Sequence, residues 1–156
     1  MTKKIDLIVK NGSYVTHNKT IKGDIAVHKG KIFRVGNISD LKASKIIDAR
    51  GLHILPGAID TQVHFREPGN TDKEDLKSGS RAAVAGGITT VFDMPNNNPS
   101  MSTKTLFKKK LNGAKNRMFC NYAFYFGAEK NNTTEIKKME KEVGCCGIKV
   151  FVGVST

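Results

Sequence analysis

The sequence predicts an α/β chain in which a small antiparallel β unit is followed by a parallel sheet. Three observations carry that expectation. Up to about residue 55, short runs alternate apolar and polar side chains with the period of half-buried strands. Beyond Pro56-Gly57 the pattern changes to strand followed by helix, repeated. A hydrophobic content of 38% over 156 residues is enough to build a globular core, so disorder is not the default.

Residues 5–9, 24–28 and 31–35 read as strands, with Lys29-Gly30 as a turn, and residues 46–49 as a further strand leading to Gly51-Leu52. Residues 58–65 follow as a strand, then residues 73–85 carry helical spacing that Gly86-Gly87 ends. Residues 88–94 are β-branched in the manner of a buried strand. Residues 103–116 form a basic amphipathic helix with Ser102 or Thr103 as its cap. Residues 119–126 make the next strand, residues 133–143 a helix capped by Thr133 or Thr134, and residues 147–152 a fourth strand. Such alternation implies right-handed βαβ units and a parallel sheet. A closed (β/α)8 barrel takes ~250 residues, and only about 100 follow Pro56. Two architectures satisfy the pattern: a complete open, flavodoxin-like sheet, or the first part of a barrel.

Charge and composition narrow the function classes. The 26 Lys+Arg against 14 Asp+Glu leave a net charge of +12, which attracts anionic partners through the long-range field. The lysines are nevertheless scattered except for Lys108-Lys109-Lys110, with no stacking aromatics between them, so they read as solvated faces and not as a nucleic-acid site. No apolar run approaches the ~20 residues of a membrane span, and residues 1–6 lack a signal-peptide core. A cytoplasmic protein with neither membrane nor nucleic-acid partners is expected. Cys120, Cys145 and Cys146 show no C-x-x-C spacing and read as reduced, mostly buried thiols. His17, His28 and His53 lie among the N-terminal strands and receive no role.

In parallel α/β folds, side chains at the C-terminal strand ends face the site. Period-two alternation puts Gln62, His64 and Arg66 on one face of the first such strand end. The second delivers Asp93-Met94-Pro95-Asn96-Asn97-Asn98-Pro99, and the fourth holds Lys149 between Ile148 and Val150. Taken singly, each has an ordinary structural reading: a packed histidine, a surface ion pair for Arg66, a lysine whose stem lies along an apolar edge.

Taken together, these segments resemble one family. Residues 56–69, Pro-Gly-Ala-Ile-Asp-Thr-Gln-Val-His-Phe-Arg-Glu-Pro-Gly, resemble the dihydroorotase signature in which a barrel strand ends in H-x-H followed by F-R-E-P-G. Residues 81–99 are similar to the family's G-G-x-T-T…M-P-N-T-x-P segment, and Gly147-Ile148-Lys149-Val150-Phe151 to its G-x-K-x-F strand. The chain is thereby identified as similar to the N-terminal part of a dihydroorotase, a cyclic amidohydrolase of the amidohydrolase superfamily. The resemblance implies an incomplete (β/α)8 TIM barrel of about four strands over residues 56–156, preceded by part of a β-sandwich over residues 1–55. It also implies one or two divalent metals, usually zinc, holding a hydroxide that attacks the ring carbonyl. His64 is the implied imidazole ligand, Lys149 the lysine carboxylated by CO2 into a bridging carbamate, and Arg66 with Asn96 the groups that hold the substrate carboxylate.

Gln62 stands where the family pattern has the first histidine of H-x-H, and an amide oxygen is a much poorer zinc ligand. Three readings follow: a subgroup that tolerates glutamine, a site that keeps one metal, or a relative that has kept the fold without catalysis. The aspartate general base and two further histidine ligands are expected beyond residue 156, so the 156 residues alone should be inactive and prone to aggregate. The function expected of the intact protein is reversible hydrolysis of dihydroorotate to N-carbamoyl-aspartate, in pyrimidine biosynthesis, by a homo-oligomer. The alternatives are an allantoinase or hydantoinase, or a non-catalytic subunit beside an aspartate transcarbamoylase. A flavodoxin-like binding domain needs an anion-cradling loop, and residues 67–72, with one glycine and two acids after the first strand, make a poor one.

Overall fold

The structure, a computed structural model, describes residues 4–153. Two compact units divide between Pro56 and Gly57.

The first unit is a single sheet built around β1 (Lys4–Val15), with β2 (Thr20–His28) and β3 (Lys31–Gly36) on one side and β4 (Lys42–Asp48) and the short β5 (His53–Ile54) on the other. β2 and β3 form a hairpin whose turn residues Lys29 and Gly30 both have positive φ, 51° and 71°, as a tight primed turn requires. Asp6 completes this turn by accepting the Lys29 N–H at 2.6 Å. The sheet is mixed, which corrects the antiparallel expectation: β1 pairs antiparallel with β2 but parallel with β4 and β5. The cause lies in residues 37–41. Ile38, 1% exposed, packs with Ile5, Ile8 and Ala26, so the link from β3 crosses the sheet and β4 arrives running along β1.

The second unit is a four-stranded parallel sheet in the order β6 (Ala58–Val63), β7 (Ile88–Asp93), β8 (Asn121–Gly127), β9 (Cys145–Lys149). Helices α1 (Leu76–Ala85), α2 (Lys104–Ala114) and α3 (Thr133–Met139) connect successive strands. This is the curled half of a (β/α)8 barrel that the sequence predicts. Phe65, Leu76, Val91, Phe107, Phe124 and Phe126 form the apolar layer between strands and helices. Phe107 sets its ring edge-on to those of both Phe124 and Phe126.

Helix ends follow local chemistry. α1 begins three residues later than expected because Asp75 caps it: its carboxylate accepts the Ser78 N–H at 2.6 Å while Ser78 Oγ accepts the Asp75 N–H. Of the two cap candidates, Ser102 and Thr103, it is Thr103 that caps α2. α3 is shorter than expected, and its N-cap residue is Asn132, not a threonine. The Asn132 side chain makes no cap bond because it is already engaged with Glu129 N, Ser102 O and Gly127 O. Among the described residues, no helix is long and apolar enough to cross a membrane.

Candidate functional site

The C-terminal ends of β6 to β9 gather the expected residues, and β6 supplies the first of them. Its hydrogen-bonded part stops at Val63, earlier than predicted, yet the alternation persists through Phe65. Val63 packs against the core and Phe65 is buried within it, while Gln62 and His64 are exposed on the opposite side. His64 Nδ1 lies 2.9 Å from Asn96 Oδ1, just past β7. An amide oxygen only accepts, so the bond requires the tautomer with Nδ1 protonated. That tautomer leaves Nε2 as the lone-pair nitrogen for a metal, and leaves the Asn96 NH2 free to donate to a substrate. Arg66 is half-buried at the same strand end, and among the described residues it forms no ion pair.

Beneath this surface lies a buried polar cluster that the sequence reading missed. Lys110, third of the lysine run, is 4% exposed, and Asp93 is fully buried. Lys110 Nζ donates to Asp93 Oδ2 at 2.6 Å and to Asn97 Oδ1 at 2.7 Å, and sits 4.7 Å from the centroid of the Phe124 ring. Asp93 Oδ1 accepts the Phe65 N–H, and Asn97 Nδ2 donates to the carbonyls of Phe65 and Glu67. Burial raises the Asp93 carboxyl and lowers the Lys110 ammonium from their ordinary values, while the attraction between them opposes both shifts. A signal was present: Lys110 shares the stripe 107, 110, 114 with buried Phe107 and Ala114.

The segment after Arg66 is clamped as well. Arg117 grips Glu67 with both terminal nitrogens, and Glu67 Oε2 also accepts the Leu76 N–H at the start of α1. The guanidinium holds the Glu67 carboxyl below the usual carboxylate range, with burial opposing. Gly69 has φ of 115°, and a Cβ there would stand 2.7 Å from Asn98 Cβ and backbone oxygen. Only glycine fits this approach of the two loops.

At the far edge of the sheet, Lys149 is the last residue of β9, not a mid-strand residue as expected. Ile148 packs into the helix-side core, so alternation turns Lys149 to the other face. Its ammonium lies 5.3 Å from the Phe151 centroid, and among the described residues no carboxylate pairs with it. Between β7 and β9, a cavity of about 300 Å³ is lined by Asn96, Asn98, Ser100, Gly127, Glu129 and Phe151, among others. The three cysteines are free but only partly buried, which corrects the expectation of mostly buried thiols. Burial, with Cys145 next to it, pushes the Cys146 thiol up to about 12, so it is no ready nucleophile.

The structure thus brings His64 and Asn96 together and keeps Lys149 apart, with β7 and β8 between β6 and β9. The donors fit a divalent cation in part: His64 offers an imidazole nitrogen, Gln62 a weak amide oxygen, and Lys149 an amine that becomes an anionic oxygen donor once carboxylated. Among the described residues, no three His, Cys, Asp or Glu side chains gather to hold a metal.

Comparison with known proteins agrees with this geometry. The profile of the Amidohydrolase family matches residues 53–149. A dihydroorotase of Lactobacillus gasseri is 41% identical over 129 residues, which are 83% of this chain and 30% of that protein. An allantoinase of Salmonella choleraesuis is 37% identical over 148 residues, 94% of this chain and 32% of that protein. Among solved structures, an L-hydantoinase (dihydropyrimidinase) from Arthrobacter aurescens matches with a TM-score of 0.90 at 33% identity, over 97% of this chain and 34% of that one. The chain spans about a third of the length of these relatives.

Proposed function

The chain belongs to the amidohydrolase family, and we propose that the intact protein hydrolyses a cyclic amide, with dihydroorotate as substrate and N-carbamoyl-aspartate as product, reversibly, in cytoplasmic pyrimidine biosynthesis. One observation carries the choice of substrate. Arg66 and Asn96 follow the C-terminal ends of the neighbouring strands β6 and β7, one a guanidinium without an ion-pair partner among the described residues, the other an amide whose NH2 is free to donate. Fork and amide suit a ring that bears a carboxylate, which dihydroorotate has and a simple hydantoin lacks.

The chain's own residues divide the remaining work. Asn96 fixes His64 with Nε2 outward, so the imidazole is preset as a ligand. His64, carboxylated Lys149 and, weakly, Gln62 would hold one or two zinc ions, which supply Lewis-acid polarisation of the ring carbonyl and of water. The amide-lined cavity after β7 accepts and donates hydrogen bonds to a cyclic amide. In this reading the aspartate general base lies beyond residue 156 and the intact enzyme is a homo-oligomer.

A second reading is an allantoinase or hydantoinase, favoured by the near-complete coverage of this chain in those comparisons. A third, favoured by Gln62, is a metal-free subunit that scaffolds an aspartate transcarbamoylase. Zinc content and turnover of dihydroorotate, allantoin and hydantoin by the intact protein separate them. The expected result is zinc with dihydroorotate turnover, abolished in Lys149→Ala, and a KM raised about 10-fold or more in Arg66→Ala. Turnover confined to neutral rings overturns the substrate. A protein with neither zinc nor turnover overturns catalysis.

A further inference from the structure

We propose that Lys110, on the helix side of the sheet, is a positioning residue that holds the His64–Arg66 strand end in its working geometry through Asp93 and Asn97. The inference rests on His64 and Arg66 serving the site described above. Phe65 lies between them, and both its backbone groups end in the Lys110 cluster: its N–H on Asp93 Oδ1 and its carbonyl on Asn97 Nδ2. The same Asn97 NH2 holds the Glu67 carbonyl, so the path from His64 to Glu67 is pinned on both sides of Arg66.

Lys110 decides the polarity of this arrangement. An ammonium only donates, so Asn97 must present its oxygen to Lys110, and its NH2 therefore faces the strand end. The amide then has two donor hydrogens for two carbonyls. The carboxylate of Asp93 only accepts, which matches the Phe65 N–H on one oxygen and Lys110 on the other. The remaining ammonium face lies over the Phe124 ring. No buried side-chain polar atom is left without a partner among the described residues. A cluster satisfied in full, at low dielectric, is rigid and transmits a displacement of any member.

The test uses the intact protein with Lys110→Met, with Lys110→Met/Asp93→Asn, and with exposed Lys109→Met as control. The double variant removes the buried unpaired charge that would destabilise the single one, and it supplies no ammonium to Asn97. Readouts are Tm, kcat and KM at a temperature well below every Tm, and the His64 ring resonances in 15N-histidine-labelled protein, with His17 as internal reference. Expected are shifted His64 resonances in both Lys110 variants, a kcat lowered about 10-fold or more, recovery of Tm alone in the double variant, and no change in Lys109→Met. A double variant with wild-type His64 resonances and kcat overturns the proposal, because Lys110 would then serve only to neutralise Asp93. If wild type turns over none of the cyclic amides, the enzymatic reading fails, and the His64 resonances still decide the positioning role.

Discussion

The two ends of the parallel sheet are built differently. At β6 and β7 the strand ends rest on an interior ion pair, two amide bridges and the Glu67 clamp, so the backbone that carries His64 and Arg66 has little freedom. At β9, Lys149 holds its strand by main-chain bonds while its side chain leans on one ring. One half of the site is preorganised by the fold. The other half presents the Lys149 amine, which no carboxylate pairs among the described residues.

Substitutions sharpen this contrast. Asp93→Ala strands the Lys110 ammonium in the core and should cost about 3–5 kcal/mol, seen as a lower midpoint in urea unfolding. Gly69→Ala forces a side chain into a left-handed backbone position against Asn98, a loss of about 1–3 kcal/mol by the same measurement. Glu67→Gln gives a smaller and pH-dependent loss. Since the folded value of Glu67 lies below the unfolded one, its stabilising contribution is present at neutral pH and disappears as pH falls through the folded value. The Tm difference between wild type and Glu67→Gln should therefore be largest near neutrality and shrink only as pH falls below the usual carboxylate range. Lys149→Ala, at the loose end, should move the metal-free Tm little, within about 0.5 kcal/mol. A large loss there would mean that β9 is as firmly built as β6, and the contrast would break.

Much of this was legible along the chain. The strand and helix order after Pro56, the Thr103 cap and the glycine stop of α1 all follow from local chemistry, and each is present in the structure. Boundaries were less legible. The N-cap of α3 is Asn132 and not a threonine, and its side chain makes no cap bond because it donates to the Ser102 carbonyl from a distant segment, a use that no local rule contains. The mixed sheet of the first unit was hidden for a similar reason: strand direction depends on how residues 37–41 cross, and Ile38 reveals that only once it is buried.

The sequence by itself determined the order of elements and the exposed face on which Gln62 and His64 stand, because periodicity and capping act between residues a few positions apart. The helical stripe 107, 110, 114 turns Lys110 inward, but only the tertiary structure decided what meets it there. Lys108, Lys109 and Lys110 are equivalent in composition, and the third differs because the turn of α2 brings it beneath β7, where Asp93 and Asn97 meet it across 17 and 13 residues of chain. A buried charge exists only where a partner is delivered by the fold, and delivery over that distance is a property of packing.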